Sequence, residues 1–135
     1  MAYRSILILL LTIIALTGCR RDGEVKSVLN EARSFTSSFV NEVLADSSFT
    51  EGIKKGNTFL DERGDVMRKT WKQLDDYNQV QVKTETLEDL EEFVFYSRRE
   101  VARIRMYYAD EIQASHKNEE ALNRLIDRYY RVLDH

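Results

Sequence analysis

No proline occurs in the 135 residues, and apolar side chains recur three and four positions apart through most of them. That spacing is the period of a helix with one buried face. The lack of proline removes the commonest interruption of such a helix. Val25, Val28, Leu29, Ala32, Phe35, Phe39 and Val43 form the clearest stripe. Asp22 stands where an N-cap belongs, and the first helix is expected to run from there to about Ala45. Asp46-Ser47-Ser48 breaks it, and Ser48-Phe49-Thr50-Glu51 has the form of a capping box that opens a second helix.

The second helix carries Phe49, Ile53, Leu60, Met67, Trp71 and Leu74, with Gly56 and Gly64 inside the pattern. Lys54-Lys55-Gly56-Asn57 reads as a helix end with glycine just beyond it, and Thr58-Phe59-Leu60-Asp61 as a capped restart. The alternative is one continuous helix whose two glycines, eight apart, lie on the packing face. Arg63-Gly64-Asp65 matches an adhesion tripeptide, but it falls inside the helical pattern and is read as coincidence.

Residues 77–84 form the main connector; Val80-Gln81-Val82-Lys83 alternates but has no partner strand, so it reads as an extended loop. Thr86-Leu87-Glu88-Asp89 is read as the cap of a third helix with a core stripe of Leu87, Leu90, Val94, Val101, Ile104, Tyr108 and Ile112. Phe93 and Phe95 fall outside that stripe. Ser115 opens a last helix through Leu122, Leu125, Ile126, Tyr129 and Leu133. Four amphipathic segments on short connectors imply an all-α fold, a small antiparallel bundle of about four helices. Heptad-like spacing also permits pairs of long hairpins that complete their core as a homodimer.

Ahead of the bundle, Arg4 is followed by an apolar block from Ile6 to Leu16 and then by Leu16-Thr17-Gly18-Cys19, which holds the single cysteine. The stretch resembles a bacterial lipoprotein signal peptide with its lipobox. An apolar block of this length suits a secretory signal and is short of the roughly 20 residues a membrane span needs. The resemblance implies residues 1–18 as signal peptide, 19–23 as lipid site and short tether, and 24–135 as one helical domain. Cys19 would then carry a diacylglycerol on sulfur and an acyl chain on its amine, enough for stable anchoring and the only non-protein group expected. The inner-membrane retention signal of such lipoproteins is aspartate after the cysteine. Arg20 stands there, so the expected place is the periplasmic face of an outer membrane. No Gly/Ser- or Pro-rich linker follows, so Arg20 and Arg21 are expected within reach of lipid phosphates, where each basic residue contributes about 1 kcal/mol.

Removing residues 1–18 leaves 117, enough for one domain, with 19 basic against 23 acidic side chains. That mild acidity argues against a nucleic-acid partner. No Cys/His cluster suggests a metal, and no Gly-rich phosphate loop, G-x-S-x-G or H-E-x-x-H occurs. His116 and His135 are read as surface residues. Asp75-Asp76, Glu91-Glu92 and Glu119-Glu120 are adjacent carboxylates, but a catalytic pair needs burial to separate the two pKa values. The chain is read as no enzyme and as having no cofactor beyond its lipid.

Two features suggest a protein partner. Glu85, Glu88, Asp89, Glu91 and Glu92 precede Arg98, Arg99, Arg103 and Arg105 along the third helix. The layout complements a helix dipole, and it also presents basic side chains to an acidic partner. In Tyr107-Tyr108 and Tyr129-Tyr130 only one ring of each pair can face the core, which leaves Tyr107 and Tyr130 pointing sideways. Arg98, Arg99, Arg103, Tyr107 and Tyr130 are therefore the candidate partner-binding residues, tyrosine and arginine being enriched at binding hot spots. The expected function is a membrane-held, non-catalytic protein-binding or envelope-assembly factor, similar in size and layout to helical secretin pilotins. The alternatives are a helical immunity or inhibitor lipoprotein and a bundle that holds a small ligand or lipid.

Overall fold

The structure is a computed structural model that describes the backbone over residues 2–76 and 82–133 and the side chains over 21–76 and 82–133. Its elements are α1 (Ala2–Leu44), α2 (Phe49–Lys72), a 3₁₀ turn (Gln73–Asp76), α3 (Thr84–Tyr107), α4 (Ala109–Ala114) and α5 (His116–Leu133). The fold is a small all-α bundle with no strand among the described residues. The long helices alternate in direction along the chain, as expected of short connections. Yet the lateral neighbours α1/α3 and α2/α5 run parallel: Lys26 and Arg33 pair in order with Asp89 and Glu92, and Gly56 and Gly64 face Leu125 and Val132 in order.

All seven apolar residues of the first stripe are buried, joined by Val40 and Thr36. Each large apolar side chain so buried contributes about 1.5–3 kcal/mol. α1 ends at Leu44, one residue from the expected limit, but Asp22 is not its N-cap. Asp22 lies inside α1, and its Oδ1 accepts the Lys83 N–H at 3.0 Å and the Thr86 hydroxyl at 2.7 Å. A carboxylate from α1 thus caps α3, whose own N-cap residue Lys83 makes no side-chain cap bond. The Thr86 hydroxyl first, and then the Lys83 amide, hold the Asp22 carboxyl below its ordinary pKa, since both bonds favour the charged form.

The capping box at Ser48 does not form. Ser48 is the N-cap of α2, but its side chain makes no cap bond. Asp46 turns the chain instead, its Oδ1 accepting the Ser48 N–H at 3.0 Å. The Tyr108 hydroxyl, wholly buried, donates to the carbonyls of Val43 (2.9 Å) and Asp46 (2.6 Å) and so satisfies the end of α1 from a distant helix.

The break expected at Gly56 is absent, and α2 is one continuous helix. Its glycines lie on the packing face, and a third, Gly52, joins them. A Cβ at Gly56 would meet Val43 Cγ2 at 2.7 Å and Leu125 Cδ2 at 2.8 Å, and one at Gly52 would meet the Val43 carbonyl oxygen at 2.6 Å and the Tyr108 hydroxyl. Glycine here permits the backbone of α2 to lie close against α1 and α5.

α3 begins at Thr84, not with a cap at Thr86, and its buried face is Thr86, Phe93, Ser97, Val101 and Ile104. Leu87 and Val94, placed in the core stripe by their spacing, are exposed, and Phe93, placed outside it, is buried. The hydroxyls account for the rotation: Thr86 and Ser97 occupy core positions because Asp22 and Tyr129 bond them there. A turn at Tyr108 separates α3 from α4, so Ile112 belongs to a separate short helix. α5 follows its expected stripe, with Val132 fully buried beside a half-buried Leu133.

The centre of the bundle is Tyr129, stacked on Phe39 at 4.9 Å and Phe35 at 6.2 Å. Thr36 spends its proton on the Ala32 carbonyl (2.8 Å), so the Tyr129 hydroxyl donates to Thr36 (2.6 Å) and Ser97 donates to Tyr129 (2.8 Å). The chain Ser97–Tyr129–Thr36–Ala32 ties α3, α5 and α1 together. Burial outweighs these bonds and pushes the Tyr129 phenol up to about 12.

Two predictions follow from this packing. Gly52→Ala drives a methyl against backbone and is expected to cost about 1–3 kcal/mol. Gly23→Ala meets nothing within 4 Å and is expected to stabilise by up to about 1 kcal/mol; opposite shifts of the thermal midpoint would show both. Tyr129→Phe leaves Ser97 without its acceptor and should cost about 1–2 kcal/mol at neutral pH. Because the folded phenol holds its proton above the ordinary tyrosine value of 10, its contribution is full below pH 10 and is lost as pH rises toward about 12. Urea midpoints measured between pH 8 and 11.5 should fall less steeply in Tyr129→Phe than in the wild type, with Tyr108 and Tyr130, both also raised by burial, supplying the remaining slope.

Candidate functional site

α3 and α5 form the open seam of the bundle. α1 packs closely on α2 and on α3, and α2 on α5, whereas α3 and α5 meet chiefly through side chains. Among those contacts are the Ser97–Tyr129 bond and a hydrogen bond from Arg105 to Asn123. Between them opens a cleft of about 540 Å³ lined by Trp71, Phe93, Val94, Ser97, Arg98, Tyr130 and Leu133. Trp71 and Phe93 form its floor with ring centroids 5.3 Å apart. Val94 and Arg98 stand on the α3 wall, and Tyr130 and Leu133 on the α5 wall.

Arg98 and Tyr130, two of the five candidate partner-binding residues, are brought together here. Burial raises the Tyr130 phenol above its ordinary pKa, and the Arg98 charge partly offsets that rise. No carboxylate among the described residues pairs with Arg98, so the cleft presents one cation above an aromatic and aliphatic floor. Such a site takes an apolar side chain together with a carboxylate or a carbonyl edge.

The other three candidates lie elsewhere and do not form one patch with Arg98. Arg99 leans over the Tyr96 ring at 5.9 Å, which Arg33 covers at 5.4 Å. Arg103 is paired with Glu100 at 2.5 Å. Tyr107 is exposed and meets Tyr108 edge to face at 4.8 Å. In both tyrosine pairs the expected ring, Tyr108 or Tyr129, is the buried one. Arg21 is half-buried, while the side chains of Cys19 and Arg20, and His135 at the C-terminus, lie outside the described residues. Trp71, Phe93 and Leu133 were not among the candidates: Trp71 and Leu133 belong to core stripes, which carry no mark that one edge remains open, and Phe93 was set outside the α3 stripe with no site in view.

A second groove, between α1 and α2, is of another character. Glu42, Glu51 and Glu62 balance Lys54, Lys55 and Arg63 around a single apolar residue, Phe59. His116 is exposed and faces Glu119 at 3.6 Å and Glu120 at 3.3 Å, an ordinary surface arrangement. Among the described residues no group of three or more His, Cys, Asp or Glu is placed to hold a metal, and no helix is long and apolar enough to cross a membrane. Comparison of the chain with protein-family models, with curated proteins and with solved structures finds no match.

Proposed function

We propose that this chain is a lipoprotein held at a membrane by lipid on Cys19, and that it acts as a non-catalytic binding or assembly factor whose α3/α5 cleft receives a segment of a partner protein. The observation that carries the binding role is the cleft itself, an apolar floor under Arg98, which pairs with no carboxylate among the described residues. The filled core around Tyr129 and the outward opening of the cleft favour a protein segment over an enclosed small ligand.

Anchoring rests on Leu16-Thr17-Gly18-Cys19 and on the burial of Asp22. Three residues past the lipid site the chain is already locked into the bundle, so the domain stays close to the bilayer. Arg20, in the place where aspartate would retain such a protein at the inner membrane, favours the outer one.

The test is a photo-reactive residue at Val94 on the cleft wall, beside one at the exposed Val66 on α2, in full-length protein in living cells. An adduct of one defined mass is expected from position 94 and not from 66. It should fall about tenfold in Arg98→Glu, the worth of one lost charge-assisted bond of about 1.5 kcal/mol, and weaken in Cys19→Ala. Equal adducts at both positions would sink the cleft as the binding site. Failure of radiolabelled palmitate to mark the wild type at Cys19 would sink the anchor.

A further inference from the structure

We infer that the outer face of α3 pairs antiparallel with the same face of a second copy of this chain, about a two-fold axis at Phe95. The inference is independent of the cleft. It starts from the distribution of large apolar side chains left on the surface. Among the described residues six are exposed, and five of them, Leu87, Val94, Phe95, Met106 and Tyr107, lie on α3, Val94 on the cleft wall and Phe95 and Met106 on the outward face. Phe95 and Met106 are the most open of these, 69% and 77% exposed, and with Ala102 they lie opposite the buried face of the helix.

The whole outward stripe is Thr84, Glu88, Glu91, Phe95, Arg99, Ala102 and Met106, and every member is exposed. Its spacing of four, three, four, four, three and four is symmetric about Phe95. Eleven residues on either side of Phe95 make about three whole turns, so the stripe keeps to one straight face of the helix. Turned end over end and laid on itself with Phe95 facing Phe95, the stripe sets Glu91 against the second copy's Arg99, Glu88 against Ala102 and Thr84 against Met106. Two Glu91–Arg99 pairs then flank the central rings, each about 6 Å from the axis along the helix. The parallel alternative sets glutamate on glutamate and arginine on arginine. The acid-to-base order along α3 is thus self-complementary in one direction only, as an isologous interface requires.

The local partners of these groups leave the pairing open. Glu88 and Glu91 make no ion pair among the described residues. Arg99 lies over the Tyr96 ring at 5.9 Å and makes no ion pair among the described residues, and Arg33 engages Glu92, the neighbour of Glu91, at 3.8 Å. A single helix face lies at the small, transient end of interfaces, so trapping is the suitable readout.

The experiment uses the full chain with Cys19→Ser as background and introduces Phe95→Cys. A residue on a two-fold axis meets its own copy, so Phe95→Cys is expected to form a disulfide-linked dimer at least tenfold faster under mild oxidation than Val66→Cys, which is equally exposed on α2. Adding Arg99→Glu or Glu91→Arg alone should slow the Phe95→Cys crosslink about fivefold, because either places like charges across the axis. Combining the two should restore it. Equal rates at positions 95 and 66 would overturn the pairing, as would a crosslink indifferent to the single reversals or not restored by the double. The measurement is made on purified protein, so it leaves the cleft and its partner untouched.

Discussion

Three helices of this bundle are held to one another by one phenol. Tyr129 is stacked on Phe35 and Phe39, and its hydroxyl takes a proton from Ser97 on α3 and gives one to Thr36 on α1. Each hydroxyl of the chain has a direction fixed by the next, ending on the Ala32 carbonyl. The arrangement explains how a tyrosine, a threonine and a serine sit in the interior without the usual penalty for buried polar groups. It also sets the distance between α3 and α5. The tie consists of side chains reaching across a gap, so the two backbones never close on each other.

The gap has its counterpart on the opposite side of the molecule. Gly52, Gly56 and Gly64 let α2 sit against the end of α1 and against α5 with little side chain between them. A ring of four helices drawn tight on the α2 side and propped by Tyr129, Phe93 and Trp71 on the other opens along α3 and α5. The cleft is thus a consequence of where the small residues and the large rings fall. The one charge among its described lining residues, Arg98, stands on the wall of the opening. The ends of the bundle are closed by long-range caps: Asp22 of α1 on the start of α3, and Tyr108 on the end of α1. With its single cysteine at position 19, the domain has no disulfide to do this work, and these polar contacts between distant residues fix the alignment of α1 with α3.

How much of this could be read in the sequence depended on whether the core was made of apolar atoms alone. The α1 stripe is buried at every position named, because the seven residues that mark it are all apolar; the polar Thr36 beside them, held by Tyr129 and Ala32, was not foreseen. The α3 stripe was misassigned in its first half, because two of its true core positions are Thr86 and Ser97, whose burial depends on partners 64 and 32 residues away. Leu87 and Val94 then looked like the core. Asp22 was read as a local cap for the same reason: a carboxylate before an apolar run fits that role by proximity, and its bonds to Lys83 and Thr86 leave no mark in the local pattern. The glycines of α2 were legible as alternatives but not decidable, since glycine serves both a helix end and a close approach. At the candidate site, Tyr130 was correctly set to one side of the core, and Arg98 met it there. Arg99, Arg103 and Tyr107 share their helix with Arg98 but point away from the cleft.

The antiparallel pairing of α3 constrains how two lipid-anchored copies would lie on a membrane. α1 and α3 run parallel, so Cys19 belongs to the end of the bundle at which α3 begins. A two-fold axis across the middle of α3 puts the two anchors at opposite ends of the pair, separated by about the length of a 24-residue helix, roughly 36 Å. Two anchors can share one leaflet only if the two-fold axis is normal to it. The helices would then lie along the surface instead of standing upright. The proposed anchor would also confine the copies to a layer, raise their effective concentration and favour a contact too small to be stable in dilute solution. A weak, self-complementary face and the proposed anchor with almost no tether would suit each other in this way. A long flexible linker would let each copy turn freely and would dilute the advantage of a fixed approach.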